Sequence, residues 1–167
     1  TQLAPEIMCP IKAAPGSHHF QPADLAKGLL EFSRAGVSAA EALNPIQQAG
    51  GTTTTILEQM SAMAYYSGEN IEDLTKKVLG YSSAYGERAI DVANSISKIA
   101  DISNADIKDM LDAFKNATSL NTVVGASFHD VAAALGVMHD QGVKAATAGA
   151  ALTTAVTKLI APTKDVQ

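Results

Sequence analysis

Ser127-Phe128-His129-Asp130-Val131-Ala132-Ala133-Ala134-Leu135-Gly136-Val137-Met138-His139-Asp140-Gln141-Gly142-Val143-Lys144 is the stretch whose pattern decides the fold class. Phe128, Val131, Leu135 and Met138 recur at helical spacing and make one apolar stripe. Ser127 with Asp130 marks the start, because a Ser oxygen accepts a bond from an amide that the first helical turn leaves unpaired. Gly142 marks the stop, since glycine enters the left-handed conformation of a C-terminal cap without steric cost. A helix, a glycine cap, a valine and a further helix are the expected order.

Working outward, the same punctuation recurs. Pro22 stands at a first helical position, Asp24 in a first turn, and Leu25, Leu29 and Phe32 form a stripe that ends at Gly36. Ser38 with Glu41 is a capping box, and Thr55 with Glu58, Asn70 with Asp73 and Ser103 with Asp106 are boxes or near-boxes. A further helix is expected from about Glu87. No segment alternates with period two for long; the Thr52 to Thr55 run, the best strand candidate, reads more simply as a loop leading into a cap. The expectation is an all-α chain of about eight short helices arranged as helical hairpins, with no sheet. Of the six prolines, Pro5, Pro10 and Pro15 lie before this pattern and Pro22 opens it, so residues 1–21 are expected to be an irregular Pro-rich arm and 22–167 the helical part.

Laying the helix starts side by side exposes a repeat. Asp24, Ala26, Leu29, Gly36, Val37 and Ala39 correspond to Asp130, Ala132, Leu135, Gly142, Val143 and Ala145, each pair 106 positions apart. Two related hairpins packing as equivalents explain it, and so does convergence of any capped hairpin in an Ala-rich chain.

Composition excludes several classes. Hydrophobic residues make up 47% of the 167 and charged residues 17%, too apolar a chain to stay disordered. The net charge of −5 argues against a nucleic-acid footprint, which needs a basic stripe. The single cysteine, Cys9, rules out an intrachain disulfide and a multi-Cys zinc site. The first residue is Thr1 and no signal-peptide pattern follows it, so the sequence reads as a fragment or processed product. The apolar run Ala145 to Ile160 approaches membrane-span length but is interrupted by Lys158.

A search for chemistry finds little. His18 and His19 are adjacent in the arm, and no His pair has zinc-protease spacing with a Glu at hand. His129 and His139 with Asp130 and Asp140 invite a metal site, yet first-turn and last-turn positions explain all four. Cys9 has no evident activating base, and phosphate-loop and nucleophile-elbow motifs are absent. No catalytic, cofactor or metal residues are expected. The residues expected to matter are structural: caps and turns at Gly36, Ser38, Glu41, Ser127, Asp130 and Gly142, and a small-residue helix-packing or oligomer face at Ala148, Gly149, Leu152, Val156 and Leu159.

The run from Asp130 to Lys144, continuing through Ala148-Gly149-Ala150-Ala151-Leu152 to Leu159-Ile160-Ala161-Pro162-Thr163, resembles the core region of phage tail tape measure proteins. That region ends with an Ala-rich helix, a Gly-Ile or Gly-Val turn, a helix carrying Ala-Gly-x-Ala-Leu, and a Pro-Thr stop. Phe20 to Ala26, Ala35-Gly36-Val37-Ser38 and Ala42-Leu43 are similar to the family's earlier hairpin, so the resemblance runs from about Phe20 to the end. The sequence departs from the pattern at Thr153 and Thr154, where a basic residue is usual, and in ending at Gln167 where the family continues. The resemblance implies a truncated piece of a non-enzymatic virion protein, made in the host cytoplasm and housed in the tail lumen. It would set tail length and leave during genome delivery. Implied partners are copies of itself and tail tube or tail-tip proteins, with membrane contact during delivery and no specific nucleic acid. A helical protein-binding module and a membrane-active segment stay open as alternatives.

Overall fold

The computed structural model describes residues 22–44, 46–47 and 53–161; the expected arm at 1–21 lies outside them. Among the described residues the chain is all-α: α1 (Pro22–Arg34), α2 (Ala39–Ala42), α3 (Ile56–Ser67), α4 (Ile71–Tyr85), α5 (Ala89–Ile102), α6 (Ile107–Lys115), α7 (Leu120–Val124), α8 (Phe128–Asp140) and α9 (Ala145–Ile160). Two-residue strands β1 (Ile46–Gln47) and β2 (Thr53–Thr54) pair antiparallel, Ile46 opposite Thr54. The Thr run therefore gives a short ladder and then, at Thr55, the cap of α3.

One local device joins most of these helices. Gly36, Gly68, Gly86, Gly125 and Gly142 all have positive φ, and in each case the next helix begins three residues later. The intervening N-cap residue is extended: Ser38, Asn70, Arg88, Ser127 and Lys144 have ψ between 139° and 156°. A left-handed residue followed by an extended one turns the chain sharply, so the helices fold back instead of running on.

Side chains then fix the starts. Thr55 and Glu58 form a complete capping box, the Thr55 Oγ1 accepting from the Glu58 N–H and the Glu58 carboxylate from the Thr55 N–H. Ser38, Asn70 and Ser127 each accept from the amide three residues on. The Ser103–Asp106 pairing needs correction: Asp106 is the N-cap of α6, accepting from the Asp109 N–H at 2.7 Å, and Ser103 ends α5. A carboxylate at the N-cap satisfies the first-turn amides at least as well as a hydroxyl, so the start falls at Asp106, three residues after Ser103. The count of about eight becomes nine among the described residues because of α7, a five-residue helix with no side-chain cap bond to announce it.

The repeat extends to the backbone. α1 and α8 are both 13 residues long and begin exactly 106 positions apart, as α2 and α9 do. The Val37 N–H donates to the Phe32 carbonyl at 2.9 Å, and the Val143 N–H to the Met138 carbonyl at 3.0 Å, the same cap bond in both hairpins. The hairpins diverge after that, since α2 is four residues long and α9 sixteen.

The core is one cluster running from Phe32 to Ala148. α1 packs on α3 and α4, the trio α3, α4 and α5 pack together, α8 lies on α5 and α6, and α9 lies on α6, α7 and α8. Its centre is aromatic: Phe114 and Phe128 stack with centroids 4.0 Å apart, and Tyr81 and Tyr85 close around them.

Candidate functional site

The geometry that stands out is the seating of α9. Ala148 and Gly149 are buried, and a Cβ on Gly149 would come within 2.0 Å of the Ala113 carbonyl oxygen. Only a glycine lets the α9 backbone rest on α6 at that distance. Polar bonds lock the crossing: the Asn116 side chain donates to the Ala146 carbonyl at 3.1 Å, and the Thr153 hydroxyl donates to the Asn116 carbonyl at 2.8 Å. Asn116 is the C-cap of α6, so its carbonyl is one that the helix leaves unpaired. Thr153, which stands where the resemblance leads one to expect a basic residue, thus serves as a fastener here.

The expected face does not behave as a unit. Ala148 and Gly149 are covered, Leu152 and Val156 are half-buried, and Leu159 is 81% exposed, with Ile160 beside it at 53%. The first half of α9 is a core helix. The second half projects past the core.

The expected cap and turn residues fall at the two equivalent corners, Gly36 with Ser38 and Glu41 at the first and Gly142 at the second, and at the start of α8, Ser127 with Asp130. Gly36 and Gly142 have φ of 84°, the Ser38 Oγ accepts from the Glu41 N–H, and the Ser127 Oγ accepts from the Asp130 N–H at 3.1 Å. Sequence reading missed a longer-range partner at the start of α8. Glu87, from the turn before α5, accepts from the Phe128 N–H at 2.9 Å and places a carboxylate at the positive end of α8. A contact across 41 residues leaves no local pattern.

The residues considered for chemistry are dispersed. Cys9, His18 and His19 lie outside the described residues. His129 is exposed; His139 is less solvated than its last-turn position suggests and sets Nε2 3.7 Å from Asp109 on α6. Asp130 accepts from the Ser127 hydroxyl at 2.7 Å, and Asp140 accepts from the Asn104 N–H at 2.7 Å. Among the described residues no group of His, Cys, Asp and Glu is placed to hold a metal ion.

Two buried phenols bind α4 to α6 and to the turn that follows it. The Tyr81 hydroxyl donates to the Leu111 carbonyl at 2.7 Å and the Tyr85 hydroxyl to the Ala117 carbonyl at 2.6 Å. Burial pushes Tyr81 above the usual phenol range, with Asp112 and Glu69 adding to it, and burial with Glu87 pushes Tyr85 up to about 12. These are neutral donors that hold a packing site together.

A family model described as phage-related minor tail protein matches residues 19–167. The tape measure protein of Pneumococcus phage Dp-1 is 28% identical over 132 residues, which is 75% of this chain and 12% of that relative. The chain therefore spans about an eighth of the curated relative it matches. No solved structure matches it.

Proposed function

The chain belongs to the phage-related minor tail protein family, and on that premise we propose that it is one folded stretch of a tape measure protein, acting in the lumen of the tail tube. There the parent protein sets tube length during assembly and leaves at genome delivery. The observation that carries this reading is the family match over the whole helical part, joined to the likeness to a tape measure protein.

The mechanism is mechanical. An α-helix rises 1.5 Å per residue, so a helical chain in the lumen is a ruler that tube subunits fill. Among the described residues the longest helix, α9, has 16 residues and so spans about 24 Å, while the glycine corners turn its neighbours back. The stretch then adds less length per residue than an uninterrupted helix. Its partners on this reading are the rest of the parent chain, further copies of it, and tube or tip proteins, and it works without catalysis or a cofactor. An acidic chain would adhere weakly to DNA passing through the same lumen.

Deleting residues 22–161 in frame from the parent gene and measuring tails in electron micrographs tests it. The expected result is tails that carry the parent protein and are shortened by clearly less than ~1.5 Å per deleted residue. Shortening by the full rise would refute the folded state and keep the ruler. Unchanged length, or purified tails without the parent protein, would refute the ruler. Should the deletion abolish tails, duplicating the same residues gives the reciprocal reading, with longer tails expected.

A membrane-active role is the second reading, favoured by the exposed apolar end of α9 at Leu159 and Ile160. Among the described residues no helix is long and apolar enough to cross a membrane, so this contact would be interfacial. Dye release from anionic vesicles that is lost in Leu159→Asp would support it; intact vesicles at high protein concentration would end it.

A further inference from the structure

The two hairpins that share the 106-residue offset are covered on overlapping but different faces. On α8 the residues Val131, Ala132, Leu135 and Gly136 are buried, and Gly136 lies so near α5 that a Cβ would meet the Ile99 Cγ2 at 2.6 Å. On α9, Gly149 rests on the Ala113 carbonyl of α6. The equivalents of those two glycines on the first hairpin are Leu30 and Leu43, which are 49% and 48% exposed. Ala26 beside them is exposed, and Leu25 and Leu29 are half-buried. The other face is reversed: Glu31 and Phe32 on α1 are buried, whereas their equivalents on α8 are Val137, 62% exposed, and Met138, half-buried. Ala42 and Ala148, inside each hairpin, are buried in both.

One face is thus filled on α8–α9, while on α1–α2 Leu25 and Leu29 reach the core and its outer part, at Ala26, Leu30 and Leu43, stays open. We infer that the Leu30–Leu43 face of the α1–α2 hairpin is a docking surface for a helix pair arranged as α5 and α6 are beneath α8–α9, supplied by another stretch of the same parent chain. This rests on the reading of the chain as one stretch of a longer tail protein. The shape of the occupant is visible in this molecule, because the equivalent face is seen with its pair in place. An intact second copy is a poor candidate, since its own α5–α6 pair is already covered by its α8–α9. The curated relative has the length to provide further pairs, as this chain covers 12% of it. Leucines where α8 and α9 carry glycines fix the partner's chemistry. They enter as knobs, at ordinary helix separations of about 8–10 Å, and the facing helices must offer holes lined by small apolar residues.

Photo-reactive benzoylphenylalanine placed at position 30 or 43 of the full-length parent, in purified tails, tests this by mass spectrometry of the cross-linked peptides. The expected partners are helical segments of the parent outside residues 22–161, with no such product from position 108, where Lys108 is exposed on α6. Cross-links confined to residues 22–161 of a second copy, identified by mixing light and heavy isotope-labelled chains, would overturn the inference. So would cross-links to tube protein alone, or none. A second readout guards against misfolding: Leu30→Asp with Leu43→Asp leaves the Tm of the 167-residue chain within about 2 °C, yet makes this stretch protease-sensitive in the parent. Equal destabilisation in both settings would also overturn it. Cross-links of the expected kind would stand even if the tail-length experiment failed, so the two readings fail separately.

Discussion

At Gly149 a single hydrogen decides whether α9 can sit on α6. An alanine there drives its Cβ into the Ala113 carbonyl, and the backbone carbonyl cannot swing aside as a flexible side chain could. Gly149→Ala is therefore expected to cost about 2 kcal/mol or more through overpacking, lowering Tm by roughly 4–8 °C in a chain of this size. Gly80, exposed in the middle of α4, is the contrast: nothing lies within 4 Å of a Cβ there. Gly80→Ala should be neutral or raise stability by up to about 1 kcal/mol, by removing glycine's backbone entropy. Thermal unfolding of the two variants followed by circular dichroism checks both, and similar Tm values would show that α9 shifts to relieve the contact.

Helices end here for local reasons, and the equivalent corners show which parts of a corner are optional. Gly36 and Gly142 adopt the same conformation, but the N-cap that follows is Ser38 in one and Lys144 in the other. Lys144 is extended, with φ −61° and ψ 139°, and makes no side-chain cap bond. Its ammonium also sits at the positive end of α9. Lys144→Ser is expected to supply the missing cap and stabilise the fold by about 1 kcal/mol, read as a higher urea midpoint at unchanged slope. A lower midpoint would mean that α9 is held by its seat on α6 alone and that the lysine stem contributes packing. The same scale explains why α7 escaped sequence reading: Ser119 at its start is helical in φ and ψ and caps nothing. Tertiary contacts, with α9 above it, hold those five residues in a helix.

Across the whole molecule, the aromatic centre gives stability a pH dependence. Tyr81 and Tyr85 lose their protons less readily folded than unfolded, since a buried phenolate would lose both solvent and its bond to a carbonyl. With folded values above the ordinary 10.0, their contribution is complete below pH 10 and is lost as pH rises above it, for Tyr85 through about 12. Urea midpoints should fall steeply above pH 10, and Tyr85→Phe should flatten that fall while lowering stability by about 1 kcal/mol at neutral pH. An unchanged alkaline slope in the variant would assign the loss to other groups. The all-helical class, nearly every helix start and the two equivalent corners were legible in the sequence, because caps and left-handed glycines act on amides three to five residues away. The family likeness was legible too, in the Ala-Gly-x-Ala-Leu helix and its glycine corner. Only the tertiary structure decided that Glu87 caps α8, that Phe114 stacks on Phe128, and that Leu159 lies beyond the packed half of α9. It alone decided, too, that one face is filled on the α8–α9 hairpin and open at Leu30 and Leu43 on its α1–α2 equivalent. Helical periodicity states which residues share a face. Which faces meet depends on close packing between segments far apart in the chain, and no local pattern records that.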